Sequence, residues 1–233
     1  MPGLVLAWQG DASSLVGGVV LLVLIEALRA SARWDRVLQV LVGLGLLATL
    51  AIELLFSAQL PLIIDLAGET LRAMAGDWLD QVPDETLTRA ITQLVVGSLT
   101  MVSVTWALMA LLVARWYQSR IWNPGGFAQE VLALRLSPVF ASLLAAAVAF
   151  GGMLGIDAGR YVPVLAVPLI AASLSLIHAF LARWKVPAGV HAMPYVLSLV
   201  LLSVVVPMLL VLAVADSYFN FRKLQAHSTH EDS

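Results

Sequence analysis

Apolar and polar positions alternate in long blocks along this chain. Six stretches are almost wholly apolar: Ser13–Leu28, Val37–Ile64, Ile91–Ala114, Val139–Ile156, Tyr161–Ala182 and Ala192–Ala215. Within them the only charges are Glu26 and Glu53. A charge at mid-bilayer costs at least ~2.5–3.5 kcal/mol, so this segregation is what a membrane selects. Backbone groups must be satisfied inside each segment, which predicts helices and not strands. A span needs about 20 residues. The third, fifth and sixth segments meet that directly. The first is short, and the second is long enough that Pro61 is expected to end or kink it. Asp157-Ala158-Gly159-Arg160 joins the fourth and fifth as a tight antiparallel hairpin.

Two connecting stretches carry patterns of their own. In residues 65–89, Leu71, Met74, Ala75, Trp78 and Val82 fall on one face of a helix, predicting an amphipathic helix on the bilayer surface. Pro83-Asp84 breaks it, and Asp84 is placed to cap the next helix. In residues 115–136, Arg115, Trp116, Tyr117, Arg120 and Trp122 read as an interfacial girdle. Asn123-Pro124-Gly125-Gly126 is a turn signal, with a second short amphipathic helix from Phe127. The expected fold is all-α: one polytopic membrane domain over 1–221, about six transmembrane helices plus two interfacial ones, then a polar tail over 222–233.

Composition agrees. Of 233 residues, 61% are hydrophobic and 12% charged, against about 25% charged in soluble domains; mean hydropathy is +0.93. The net charge of −2 gives no basic face for nucleic acid, and the absence of cysteine removes disulfides, thiolate metal sites and a Cys nucleophile. The first basic residue is Arg29, which argues against a signal peptide. Loop charges orient the chain: with the first loop cytoplasmic, eight Lys and Arg fall inside and five outside. Arg222 and Lys223 then lie outside, against the positive-inside tendency, unless the first segment does not span or the sixth, which contains Pro207, is a broken helix.

The loop Trp122-Asn123-Pro124-Gly125-Gly126-Phe127 with Leu134-Arg135, together with Asp216-Ser217-Tyr218-Phe219-Asn220-Phe221-Arg222-Lys223, resembles the YybS-like family of bacterial inner-membrane proteins. That family is loosely similar to the S-components of energy-coupling-factor transporters. The resemblance implies a multi-pass bacterial inner-membrane protein that binds a small solute and docks on another membrane protein.

Chemistry-bearing residues are few. Glu53 and Glu26 are acids within spans; Glu26 can pair with Arg29 one turn on, which leaves Glu53 as the better site residue. Gln93 and Thr100 belong to a polar, small face of the third span, which either lines a solute cavity or packs helices closely. Ser175 and His178 share a face of the fifth; an intramembrane His serves a ligand, a proton relay or a helix–helix hydrogen bond. A solute-binding role predicts one cavity between spans lined by Glu53, the third-span polar face and His178. Ala141, Ala145 and Ala149 form a small-residue stripe, for packing within the bundle or for docking a partner. Gly125-Gly126 before a helix could cradle an anion or simply form an elbow. His227, His230 and Glu231 in the tail hold the elements of a weak metal site, but a polar terminal segment reads first as disordered. No cofactor, resident metal or catalytic motif is expected. Three functional classes follow: a small-solute binding or transport component, a non-catalytic scaffold or assembly subunit, and an intramembrane lipid-acting enzyme.

Overall fold

The computed structural model describes residues 2–76, 81–154 and 158–223. Among them the chain is all-helical and contains no strand. Helix α1 (Pro2–Ser31) turns into α2 (Trp34–Leu55) through Ala32, which takes a left-handed φ of 50°. Ser31 stiffens this corner: its Oγ donates to Ala27 O at 2.6 Å and accepts from Arg33 N at 3.3 Å.

The long second segment is two helices. α2 stops at Leu55, a turn covers Phe56–Gln59, and α3 (Leu60–Ala75) restarts with Pro61 in its first turn. Proline there forfeits only an N–H that has no intrahelical partner. The expected surface helix therefore begins earlier and ends sooner than its apolar face suggested. Leu71, Met74 and Ala75 lie on α3, Gly76 (φ 55°) closes it, Val82 follows the helix, and Trp78 lies outside the described residues. α3 is laid against α4 through Leu60, Ile63 and Ile64, which meet Ile91 and Val95.

α4 (Asp84–Trp122) is 39 residues long, about 58 Å at 1.5 Å per residue. A bilayer core is about 30 Å. The girdle Arg115–Trp122 is thus the last turns of α4 and not a separate stretch. It ends at the predicted turn, where Gly125 has φ 87° and Gly126 N–H bonds Asn123 O at 3.0 Å. A Cβ on Gly126 would lie 2.1 Å from the Asn123 amide nitrogen, so any other residue here displaces the Asn123 side chain. α5 (Gly126–Leu132) follows.

α6 (Pro138–Phe150) is capped by Ser137, whose Oγ accepts from Phe140 N at 3.3 Å. At 13 residues it is shorter than the span expected there, and continues as a 3-10 turn over Gly151–Leu154. A second 3-10 turn, Ala158–Arg160, leads into α7 (Val162–Arg183).

The sixth segment also divides. α8 (Met193–Val200) and α9 (Leu202–Phe219) meet at Leu201, whose φ and ψ of −116° and 42° leave the helical region. Pro207 sits within α9 rather than at the break. The two helices form a hairpin. α8 begins beside the C-terminal part of α7, where Tyr195 meets His178. α9 then runs parallel to α7 and antiparallel to α6. Tyr218, near its end, hydrogen-bonds Ser142 in the first turns of α6 at 2.9 Å, and Arg135, just before α6, reaches Asp216 and Ser217. The C-terminus of α9 therefore returns to the end where α6 starts and α7 finishes.

That reversal corrects the charge arithmetic. Arg29, Arg33, Arg36, Arg115, Arg120, Arg135, Arg183, Lys185, Arg222 and Lys223 gather at one end, and only Arg72, Arg89 and Arg160 at the other.

Four described helical segments are long and apolar enough to cross a membrane: Trp34–Leu55, Asp84–Trp122, Ala158–Arg183 and Leu202–Phe219. This is a multi-helix membrane protein with fewer such spans than the six expected: the first segment, on α1, and the fourth, on the 13-residue α6, are not among them. Its interior is filled by Leu24, Leu38, Leu41, Val104, Val164 and Leu169. Gly45 admits Val164, whose Cγ1 would stand 2.2 Å from a Cβ there. Leu22, Leu47, Leu54, Trp106, Leu143 and Val211 face outward, which suits lipid contact.

Candidate functional site

The residues expected to line one cavity are divided between the two ends of the bundle. Glu53, in the last turn of α2, pairs with Arg160 from the turn before α7; the two side chains are 25% and 19% exposed. That turn is pressed onto α4. A Cβ on Gly97 would lie 2.8 Å from Arg160 O, and one on Gly159 would lie 2.2 Å from Gln93 Oε1. Two glycines thus let backbone and amide approach, which brings Glu53, Gln93 and Arg160 together from three elements.

Beside them opens a cavity of about 470 Å³ lined by Asp84, Glu85, Thr88, Arg89, Thr92, Gln93 and Arg160. The first turns of α4 present Asp84 through Gln93 at helical spacing as a polar strip, and Arg160 faces it from the turn before α7. The cavity carries two carboxylates and two guanidiniums. Arg89 bonds Glu85 at 3.3 Å, and Asp84 bonds Arg72 at 3.3 Å. Such exposed pairs contribute about 0–1 kcal/mol each and are readily exchanged for a solute's own charges.

Thr100 lies deeper, fully buried, and its hydroxyl donates to Val96 O of its own helix at 3.0 Å. It serves packing there. Ala141 is fully buried and Ala145 half-buried against the core; only Ala149 is exposed. The stripe is taken up inside the bundle at its first two positions, so it does not offer a continuous docking face.

Ser175 and His178 stand at the arginine-rich end. Ser175 Oγ donates to Val131 O at 2.5 Å and accepts from Arg222 Nη2 at 3.1 Å. His178 Nε2 meets the Tyr195 hydroxyl at 2.8 Å, and its ring lies nearly parallel to that of His191, centroids 5.5 Å apart. Arg135 donates to Asp216 O at 2.9 Å and to Ser217 O at 2.5 Å. Asp216 is 3% exposed, accepts from Phe221 N at 3.2 Å and pairs with Arg222 at 3.4 Å. Asn220 ends α9 in the left-handed conformation (φ 50°). Burial lowers the Arg222 guanidinium from its ordinary value, with Asp216 opposing. The two motifs 123–135 and 216–223, far apart in sequence, therefore meet: one supplies Arg135, the other the helix end that it holds. Phe127 packs on the core beside them.

A second ion pair lies at the same end. Glu130 on α5 accepts from Arg115 Nε at 3.1 Å and from Trp34 Nε1 at 3.2 Å, with a further short contact to Arg115. The Arg115 guanidinium holds the Glu130 carboxyl below the usual carboxylate range. Sequence reasoning missed Arg160, Glu130 and Tyr195 as partners. Arg160 alone had a signal, as the basic residue of a four-residue connector. Among the described residues no group of three or more acids and histidines is arranged to hold a metal, and His227, His230 and Glu231 lie outside them. Comparisons of the chain with protein-family models, with curated proteins and with solved structures find no match.

Proposed function

We propose that this membrane protein is a small-solute binding or transport component whose solute enters at the polar cavity over Arg160. One observation carries the reading: Gln93 and Arg160, from separate elements, line a cavity of about 470 Å³, and Glu53 on a third pairs with Arg160; the volume is within the ~300–1,000 Å³ usual for small-ligand sites. Its mixed charges suit a small solute that carries both an acidic and a basic group. The resemblance to the YybS-like family and to S-components points the same way and adds a partner membrane protein. Placing the arginine-rich end in the cytoplasm of a bacterial inner membrane turns the cavity outward, the side from which a solute is captured.

A non-catalytic scaffold or assembly subunit is the second reading, favoured by the filled interior. Native mass spectrometry of the protein released from its own membrane separates the two. A small adduct that is lost in Glu53→Gln and Gln93→Leu but kept in His178→Ala supports the carrier. No adduct and a stoichiometric protein partner overturns it in favour of the scaffold.

A further inference from the structure

A second cavity, of about 460 Å³, lies at the arginine-rich end between α1, α4 and α5. Its base is apolar: Ile25 and Leu28 on α1, Leu111 and Ala114 on α4. Its rim is polar: Arg29, Arg115, Gln118 and Glu130. The rim stands at the level of Trp116 and Trp122, which are 47% and 80% exposed and mark the bilayer interface. Below that level the surrounding medium is hydrocarbon.

We propose that this groove holds one glycerophospholipid, its phosphodiester at the rim and one acyl chain along the base. The lining carries two arginines and one glutamate; Arg115 is matched by Glu130, and Arg29 is matched only by Glu26, outside the lining, whose place one phosphodiester can take. Arg115 is already engaged, by Glu130 and by Gln118 Oε1 at 2.9 Å. Arg29 is 77% exposed and holds Glu26 by one contact of 3.3 Å, a weak tie that a phosphate can replace. From Ile25 to Ala32 the α1 wall runs about 10 Å, enough to lay down a length of chain. Basic grooves between membrane helices on the cytoplasmic side recognise lipid head groups by the same chemistry.

The test uses the full chain, delipidated in detergent and titrated with phosphatidylglycerol, bound lipid being counted by native mass spectrometry. The expected result is one tightly held lipid, weakened at least tenfold both by Arg29→Gln, which removes the phosphate partner, and by Ala114→Phe, which fills the base. Both positions are exposed, so the fold should survive; circular dichroism checks it. Binding unchanged in both variants overturns the site. Equal binding of a diacylglycerol with the same chains overturns the phosphate contact. Displacement of the lipid by excess inorganic phosphate reassigns the groove to free phosphate and overturns the acyl-chain role, as does loss in Arg29→Gln alone.

Discussion

Arg135→Gln tests the hairpin that α8 and α9 form. Arg135, just before α6, hydrogen-bonds the end of α9 through Asp216 O at 2.9 Å and Ser217 O at 2.5 Å. Both acceptor residues are buried, at 3% and 0% exposure. A buried carbonyl left without its donor costs about 1–3 kcal/mol. Asp216 O keeps the Asn220 N–H at 3.0 Å, so the loss falls on Ser217 O and comes to about 2 kcal/mol. Only 22% of the most apolar window of α9 is buried, so the cost should fall on the hairpin and not on the whole bundle. Two kcal/mol is roughly a 30-fold rise in local opening. Hydrogen exchange in detergent should show that rise across residues 202–219 while α2 and α4 keep their protection. Arg135→Lys, which keeps the charge but reaches one carbonyl, should fall between. Arg120→Gln, an exposed arginine at the same end, should change nothing. If Arg135→Gln exchanges like the wild type, Arg135 does not hold the hairpin and the argument from buried carbonyls fails.

Three further outcomes are expected. The chain has no cysteine, so single cysteines report topology directly: Lys185→Cys and Lys223→Cys should label with an impermeant maleimide from one side of a sealed vesicle and Glu85→Cys from the other, whereas a single crossing by the sixth segment would split the first two. Gly97→Ala should push Arg160 and its turn off α4; overpacking of about 1–3 kcal/mol, partly offset by about 1 kcal/mol of helix propensity, predicts a net loss near 1 kcal/mol, read as a lower Tm, and a weaker solute adduct. Glu130 has a depressed folded-state pKa, so its stabilisation is present above the unfolded value of about 4.3 and fades as pH falls further; the Tm gap between wild type and Glu130→Gln should be widest near neutrality and close in acid, and a gap constant with pH would remove Arg115 as its cause.

The membrane class and the all-helical fold were legible in the sequence because both follow from local rules. A bilayer excludes charge and unpaired backbone one segment at a time, so counting charges in apolar blocks is enough. The glycine turn at Asn123–Gly126 and the role of Pro61 were legible for the same reason, each being set by a residue and its near neighbours. Glu53 and Gln93 stood out because polar groups are rare in such blocks. That Arg160 would join them, and that His178 would lie at the opposite end, depended on which helices pack.

What only the tertiary structure decided is the path of the last segment. Residues 192–215 are apolar enough for one crossing, and hydropathy has no term for direction. The reversal at Leu201 is fixed by partners far along the chain: Arg135 on the end of α9, Ser142 on Tyr218, Ser175 on Arg222. Those contacts satisfy buried polar groups that a straight helix would have carried to the far side without them. Apolar periodicity determined that each block is a helix in lipid; long-range hydrogen bonds determined where each helix ends and which face of the membrane its charges reach.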